Sequence, residues 1–241
     1  MKLTFLGTRG YIERRTKTHY RHAATLIIHR NKKIMIDCGL DWHKQVWRIK
    51  PNAIIITHAH PDHAFGLKNG SPCPVYATRA TWKLIKNFLI AEPLRHTIFL
   101  TKPLTLFGVR FRALANVHSV IAPAISLLIK NNHKKSIFYA GDIAYLPHFK
   151  RALKKVTLFI ADGSTVTQSL IRKRNGILYG HASISAQLTW CKKSGIKQMI
   201  VTHCGNQIVA QSRTSTNQIR QLAKLKNINV TIAHDGFTTK I

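Results

Sequence analysis

Thr57-His58-Ala59-His60-Pro61-Asp62-His63 is the most telling segment of this chain. It follows Ala53-Ile54-Ile55-Ile56, an apolar and mostly β-branched run with the length of a buried strand. Pro61 cannot continue a strand ladder, so the chain must turn where the run ends. Three imidazoles and one carboxylate crowd that turn. They are the nitrogen and oxygen donors that bind zinc-like cations. A tight turn can aim His58 and His60 at one point, and Asp62 and His63 at a second point beside it. The bland alternative is a polar loop that happens to be rich in histidine. Further donors downstream weigh against it.

Outward from this stretch, the first half of the chain reads as short strands. Met1 to Leu6, Ala24 to His29 and Lys33 to Asp37 are β-branched or alternating, with Asn31-Lys32 as the hairpin turn between the last two. Thr78 to Ile90 carries Trp82, Ile85, Phe88 and Leu89 at helical spacing, which predicts an amphipathic helix with its aromatics, Trp82 and Phe88, in the core. Phe99 to Phe111 reads as strands with Gly108 at a turn. Ala124 to Lys130 and Lys135 to Ala140 form a strand pair around Asn131-Asn132-His133. Ser183 is a suitable N-cap for a helix over Ile184 to Lys193, and Gln198 to His203 reads as a further strand closing on a histidine. Several of these runs end on a group able to bind metal or move protons: Asp37, His118, Asp142, Asp162 and His203.

His-x-His-x-Asp-His after a strand resembles the signature of the metallo-β-lactamase fold superfamily of hydrolases. The resemblance extends from Leu3-Thr4-Phe5-Leu6-Gly7-Thr8 to Ala233-His234-Asp235-Gly236. It implies a four-layer αβ/βα sandwich, with two mixed β-sheets flanked by helices. It also implies a pair of divalent cations, zinc by precedent, with manganese or iron compatible with the same donors. On the family's pattern His58, His60 and His118 bind one cation. Asp62, His63 and His203 bind the other, and Asp142 bridges the two. Asp37 supports the metal-binding loop, where a carboxylate beside a ligating imidazole fixes its tautomer. His234, in the terminal strand, competes with His203 for the last position.

The match is nearer to the phosphodiesterase branch: the tRNA 3′-processing nucleases and the cyclic-phosphate phosphodiesterase of phosphonate breakdown. His181-Ala182-Ser183 ahead of a helix, then Thr202-His203, resembles that branch's late motifs. On this match His181 is a proton donor and Asp162 orients it. Asp62 orients a metal-bridging hydroxide as well as binding metal. One departure stands out. The tRNA-processing nucleases insert a protruding tRNA-binding arm between the positions of His118 and Asp142, where this chain has only a strand pair. That moves the match toward the compact phosphodiesterases.

The charge balance is the second unusual feature. Lysine and arginine number 38 against 8 acids, a formal net charge of +30. Such a field attracts polyanions, so a nucleic-acid or other phosphate-rich substrate is expected. A basic bias common to the source proteome is the competing explanation. The loop from Gly7 to His22 carries Arg9, Arg14, Arg15, Lys17 and Arg21, any of which could clamp phosphate bidentately if arginine. The sequence does not choose among them.

A chain of 241 residues without linker, repeat or low-complexity tract reads as one hydrolase domain, 1–241. No run of about eighteen apolar residues is present, and Lys2-Leu3-Thr4-Phe5-Leu6 begins a strand pattern where a leader would lie. Cys38, Cys73, Cys191 and Cys204 are scattered, as reduced thiols of a cytoplasmic protein would be. No membrane partner is expected, and monomer and homodimer stay open. The expected function is metal-dependent phosphodiester hydrolysis, as a phosphodiesterase or nuclease. Two alternatives remain: thioester, lactone or β-lactam hydrolysis on the same scaffold, and a non-catalytic basic nucleic-acid-binding protein.

Overall fold

The computed structural model describes residues 1–131 and 136–241. The first sheet takes β1 (Lys2–Gly7), β2 (Ala24–His29), β3 (Lys32–Ile36), β4 (Ala53–Ile55), β5 (Val75–Thr78) and β6 (Arg95–Ile98). The chain then crosses to the second sheet with β7 (Leu104–Leu106), β8 (Val109–Ala115), β9 (Ile125–Lys130), β10 (Ser136–Tyr139) and β11 (Leu158–Asp162). β12 (Arg172–Arg174) and β13 (Ile177–Tyr179) form a hairpin of their own. β14 (Gln198–Thr202) and β15 (Asn229–Ile232) rejoin the second sheet, and β16 (Phe237–Lys240) returns to the first beside β1. The sheet orders are β16-β1-β2-β3-β4-β5-β6 and β15-β14-β11-β10-β9-β8-β7. Each sheet is antiparallel on one side and parallel on the other, with β3 to β6 and β10, β11, β14 and β15 running parallel.

Burial follows the two-residue period of a strand. In β8, Val109, Phe111 and Ala113 point inward while Arg110 and Arg112 face water. Leu3, Phe5, Ile27, Ile34 and Ile55 of the first sheet meet Phe111, Leu127, Ile137 and Ile160 of the second in a central core. Helices α1 (Gln45–Ile49), α2 (Pro61–Ala64), α3 (Arg79–Leu84), α4 (Phe149–Ala152), α5 (Ile184–Lys193), α6 (Asn206–Ala210) and α7 (Ser212–Leu225) lie outside. Leu188 and Cys191 of α5 and Ile219 and Ala223 of α7 pack on the outer side of the second sheet. Trp42, Val46, Leu67 and Ile85 cover the first. The result is two mixed sheets flanked by helices, the αβ/βα sandwich. Among the described residues, no helix is long and apolar enough to cross a membrane.

Three local expectations need correction. The β2–β3 turn is Arg30-Asn31, not Asn31-Lys32, because both turn residues take positive φ (49° and 60°) and Lys32 already pairs with His29. The helix expected over Thr78 to Ile90 stops at Leu84. Beyond it, Arg95 donates to the carbonyls of Lys86, Phe88 and Ile90, which replaces helical hydrogen bonds. Leu89, an apolar position of that expected helix, is 73% exposed for the same reason. Phe99 lies past the end of β6 and outside any strand. The expected turn at Asn132-His133 and the strand residue Lys135 fall outside the described residues.

Candidate metal centre and active site

Four parallel strands end on the same edge of the sandwich, and their last residues or next few carry the site. His58 follows β4, Asp142 follows β10, Asp162 closes β11, and His203 follows β14. Carboxyl ends of parallel strands are where open α/β sheets place ligands. Pro61 opens the one-turn helix α2 and His60, just before it, is extended, as the residue before proline prefers. That turn buries Asp62 and His63 together. The loop after β3 lies directly beneath. Cys38 N–H donates to the His63 carbonyl (2.7 Å) and Gly66 N–H to the Cys38 carbonyl (2.8 Å). A β-carbon on Gly39 would overlap the Asp62 backbone carbonyl, so only glycine lets the two segments approach this closely.

Two sets of donors meet at Asp142. Asp142 Oδ2 lies 3.7 Å from His58 Nε2 and 3.5 Å from His118 Nε2. His60 Nδ1 completes that set at 3.0 Å from His58 Nε2 and 3.2 Å from His118 Nε2. Asp142 Oδ1 lies 3.2 Å from His63 Nε2 and 3.3 Å from His203 Nε2. Asp62 Oδ2 is 3.3 Å and 3.1 Å from the same two nitrogens. Within each set the donor atoms all fall within 4.8 Å of one another. A third group of the same kind joins Asp142, Asp162, His181 and His203.

The outer nitrogens of four rings are held. His63 Nδ1 is 2.8 Å from Asp37 Oδ2, which also accepts from Thr57 Oγ1 (2.9 Å). His58 Nδ1 is 3.1 Å from Thr57 Oγ1, and His118 Nδ1 is 3.0 Å from the Gly180 carbonyl. His203 Nδ1 is 3.0 Å from Ser164 Oγ. Each ring is thereby turned so that Nε2 faces inward, the arrangement a partner behind a metal-binding histidine produces.

This donor set fits divalent cations. Asp142 Oδ1 is buried with no donor in hydrogen-bond geometry, its neighbours being the ring nitrogens of His63 and His203; a carboxylate oxygen can only accept, and a cation between these atoms would satisfy it. Burial lowers the pKa of His58 and of His118, the latter to about 4, so both rings are neutral and free to coordinate. The second set behaves oppositely. Burial alone would lower His63 and His203, but the surrounding carboxylates, Asp142 foremost, outweigh it. They raise His63 well above its ordinary value and His203 to about 10. Burial would likewise raise Asp62, yet His63 and His203 hold it well below the usual carboxylate range. The carboxylates thus demand positive charge at this spot, which protons or a cation can supply.

His181 stands at the pocket wall with its Nδ1 2.7 Å from Asp162 Oδ2 and 3.0 Å from Ser164 Oγ. Burial works against its charged form, but Asp162 overrides it and raises the pKa. Asp162 is itself fixed by the Ile143 N–H (3.1 Å) and the Ser164 N–H (3.0 Å). The pocket holds about 630 Å³ and is lined by His60, Asp62, His118, Asp142, His181 and His203.

The structure therefore gathers His58, His60, Asp62, His63, His118, Asp142 and His203, with Asp37 and Asp162 behind them. His234 is exposed, contacts Asp235 and Phe237, and belongs to none of the donor groups. Sequence reasoning missed Ser164, which touches Asp162, His181 and His203 together; the Asp-Gly-Ser turn that Asp162 itself begins was its signal. It also missed the role of Asp41. Arg9 is buried, pairs with Asp41 at 2.7 Å, and donates to the carbonyls of Tyr20 and Ile12. Arg9 is thus a structural tie inside the loop bordering the pocket, while Arg15 reaches Asp41 from outside (3.1 Å).

Residues 32–204 match the family described as beta-lactamase superfamily domain. Ribonuclease Z of Methanococcus maripaludis is 33% identical over 105 residues, covering 37% of this chain and 32% of the relative. Ribonuclease Z of Bradyrhizobium diazoefficiens is 36% identical over 70 residues, covering 27% and 22%. The chain thus aligns with a third or less of these ribonucleases. Among solved structures, the metallo-beta-lactamase fold protein YhfI from Bacillus subtilis superposes with a TM-score of 0.76 at 18% identity, covering 99% of this chain and 98% of its own. A diphosphatase from the PhnP family gives 0.72 at 17% identity, covering 100% and 97%. Human tRNase Z, short form, gives 0.66 at 18% identity, covering 100% and 99%. At these identities the likeness is one of fold. The family match runs from β3 to the residue after His203 and takes in both donor sets, so the chain belongs to the beta-lactamase superfamily.

Proposed function

We propose that this chain is a hydrolase of phosphodiesters that works at a pair of divalent cations, zinc by precedent, within one domain spanning residues 1–241. One geometry carries the reading: Asp142 gives an oxygen to each of two imidazole sets, and the Asp162–His181 pair faces the same pocket. His58, His60, His118 and Asp142 Oδ2 would hold one cation; Asp62, His63, His203 and Asp142 Oδ1 the other. Bound there, such cations supply Lewis acidity for activating water and neutralising charge on phosphoryl oxygens. Asp62, buried and ionised, accepts a hydrogen bond from the attacking water and so orients it. His181 carries the leaving-group step. Asp162 holds its Nδ1–H and raises its pKa, so the ring is an imidazolium able to donate from Nε2 to the departing oxygen. After that transfer the neutral ring keeps the Nδ1 proton, and its partly exposed edge takes a replacement from solvent.

The net charge of +30 and the ribonuclease and diphosphatase relatives support a phosphodiester over a thioester or lactone. Four buried, unpaired cysteines fit a cytoplasmic setting. The test is a substrate panel: an aryl phosphodiester, a cyclic nucleotide, single-stranded DNA and RNA, a thioester and a lactone, each with and without chelator. The expected result is turnover of one or more phosphodiesters, abolished by chelator and restored by zinc or manganese. Turnover confined to the thioester or lactone would overturn it.

A further inference from the structure

No aspartate or glutamate occurs between Asp162 and Asp235. Inside that acid-free stretch, β12 and β13 form a ribbon that joins neither main sheet. Its turn is Asn175-Gly176, both at positive φ (48° and 80°), the type I′ geometry that suits strand twist. The register sets Arg172 opposite Tyr179, Lys173 opposite Leu178 and Arg174 opposite Ile177. Opposed residues share a face. One face therefore carries Arg172, Arg174, Ile177 and Tyr179, and the other Lys173 and Leu178. All are exposed except half-buried Tyr179. Among the described residues, no ion pair involves the three cations.

A two-stranded ribbon this short is not stable alone and stays where its ends are held. Both ends are fixed at the pocket rim. Leu170, two residues before β12, lines the pocket. Gly180, directly after β13, donates its N–H to the His118 carbonyl at 2.7 Å, and its own carbonyl faces His118 Nδ1. Gly180 sits at φ +108°, and a β-carbon there would overlap the Leu170 carbonyl, so the two legs pass in close contact. From that rim three residues per strand reach out about 10 Å. Tyr11, Ile12 and Asn206 line both the pocket and an adjoining cavity of about 660 Å³ that includes Arg14 and Arg15.

We infer that the β12–β13 ribbon grips the sugar–phosphate backbone of a single-stranded polynucleotide whose scissile linkage lies in the adjoining pocket. The pocket half of this statement rests on the phosphodiesterase reading; the grip does not. Guanidinium groups pair bidentately with phosphate, and Tyr179 and Ile177 beside them offer apolar surface to unstacked bases. A cyclic nucleotide or small diester ends within the pocket and leaves the ribbon unused. A strand long enough to leave the pocket meets uncompensated cations at once.

The test is fluorescence anisotropy of a short fluorescein-labelled, phosphorothioate-linked single-stranded RNA over a range of salt. It compares the wild type, a ribbon variant (R172S/K173S/R174S) and a charge-matched control on α5 and α7 (K193S/R220S/K224S). Neutralising three phosphate contacts should flatten the slope of log K against log salt by about 2 and weaken binding about tenfold or more. The control should lose much less. Equal losses in both variants would reduce the effect to net charge and overturn the inference. No loss in the ribbon variant, no RNA binding by the wild type, or stronger binding to anionic phosphatidylserine vesicles or duplex RNA would also overturn it. If the wild type binds RNA through the ribbon but cleaves no phosphodiester, the grip stands and the catalytic reading falls.

Discussion

Replacing His181 by alanine separates proton delivery from metal binding. The ring touches Asp162 at 2.7 Å and Ser164 at 3.0 Å through Nδ1, which leaves Nε2 for the pocket. Its removal takes away the proton donor and no member of the two imidazole sets around Asp142. General-acid catalysis contributes roughly 10²–10⁴-fold, which is about 2.7–5.4 kcal/mol at about 1.36 kcal/mol per factor of ten. That loss should fall on alkyl or nucleoside leaving groups, which need a proton. A nitrophenyl leaving group departs without one, so its turnover should fall by less than about tenfold. Asp162→Asn should act in the same direction, because the carboxylate is what raises His181's pKa against burial. It should also move the alkaline limb of the kcat profile to lower pH. The assay is kcat for a leaving-group series, with metal content measured on the same preparations. Equal losses across the series, or a cation missing from His181→Ala, would refute the assignment. The second outcome would point instead to the group in which His181 joins Asp142, Asp162 and His203.

Other outcomes follow from the supports of the site. Asp37→Ala strips the partner from buried Thr57 Oγ1 and from His63 Nδ1; chemical denaturation should show a loss of about 1–3 kcal/mol, and calorimetry a 10–100-fold weaker metal affinity. Gly39→Ala forces a β-carbon into the Asp62 carbonyl, so it should lower thermal stability and the affinity of the Asp62 set while Gly176→Ala, with open space around it, spares that affinity. Metal-free protein should lose stability on the alkaline side. His203's pKa is raised to about 10 by Asp142 and its neighbours, against burial. A raised pKa contributes stability that is complete below the unfolded value of about 6.5 and is lost as pH climbs through the folded one. The Tm of chelated protein should therefore fall between about pH 7 and 10. With saturating cation the fall should vanish, since coordination needs the neutral ring and strengthens with pH. A flat Tm without metal would contradict the charge assignment.

Much of this arrangement was legible in the sequence because ligands sit where strands stop. A change from a continuous apolar run to a polar residue marks the end of β4, β10, β11 and β14, and those ends share one edge of the sandwich. β2 was readable to the residue from its apolar run, and helix α5 from its Ser183 cap. What escaped was set by contacts distant in sequence. Leu89 is solvent-exposed because Arg95 satisfies the carbonyls that a longer helix would have used. Ser164 joins Asp162, His181 and His203 only once β11 and β14 lie side by side. Asp41 and Asp235 could have been suspected from scarcity. With only eight acids against 38 lysines and arginines, each buried or half-buried acid is a candidate for a structural task. Asp41 holds Arg9, Arg15 and the His22 N–H, and Asp235 holds the backbone of Thr8, Tyr20 and Arg21. The β12–β13 ribbon was overlooked because three-residue strands carry almost no periodic signal.

On the proposed function, Asp142 joins two cation sites, one through each oxygen. Metal content per chain, measured by plasma mass spectrometry on wild type beside Asp142→Ala, tests it most directly. The account predicts about two equivalents in the wild type, and the loss of both together with activity in the variant. A wild type that is fully active without bound metal, or an Asp142→Ala variant that keeps both ions, would contradict it.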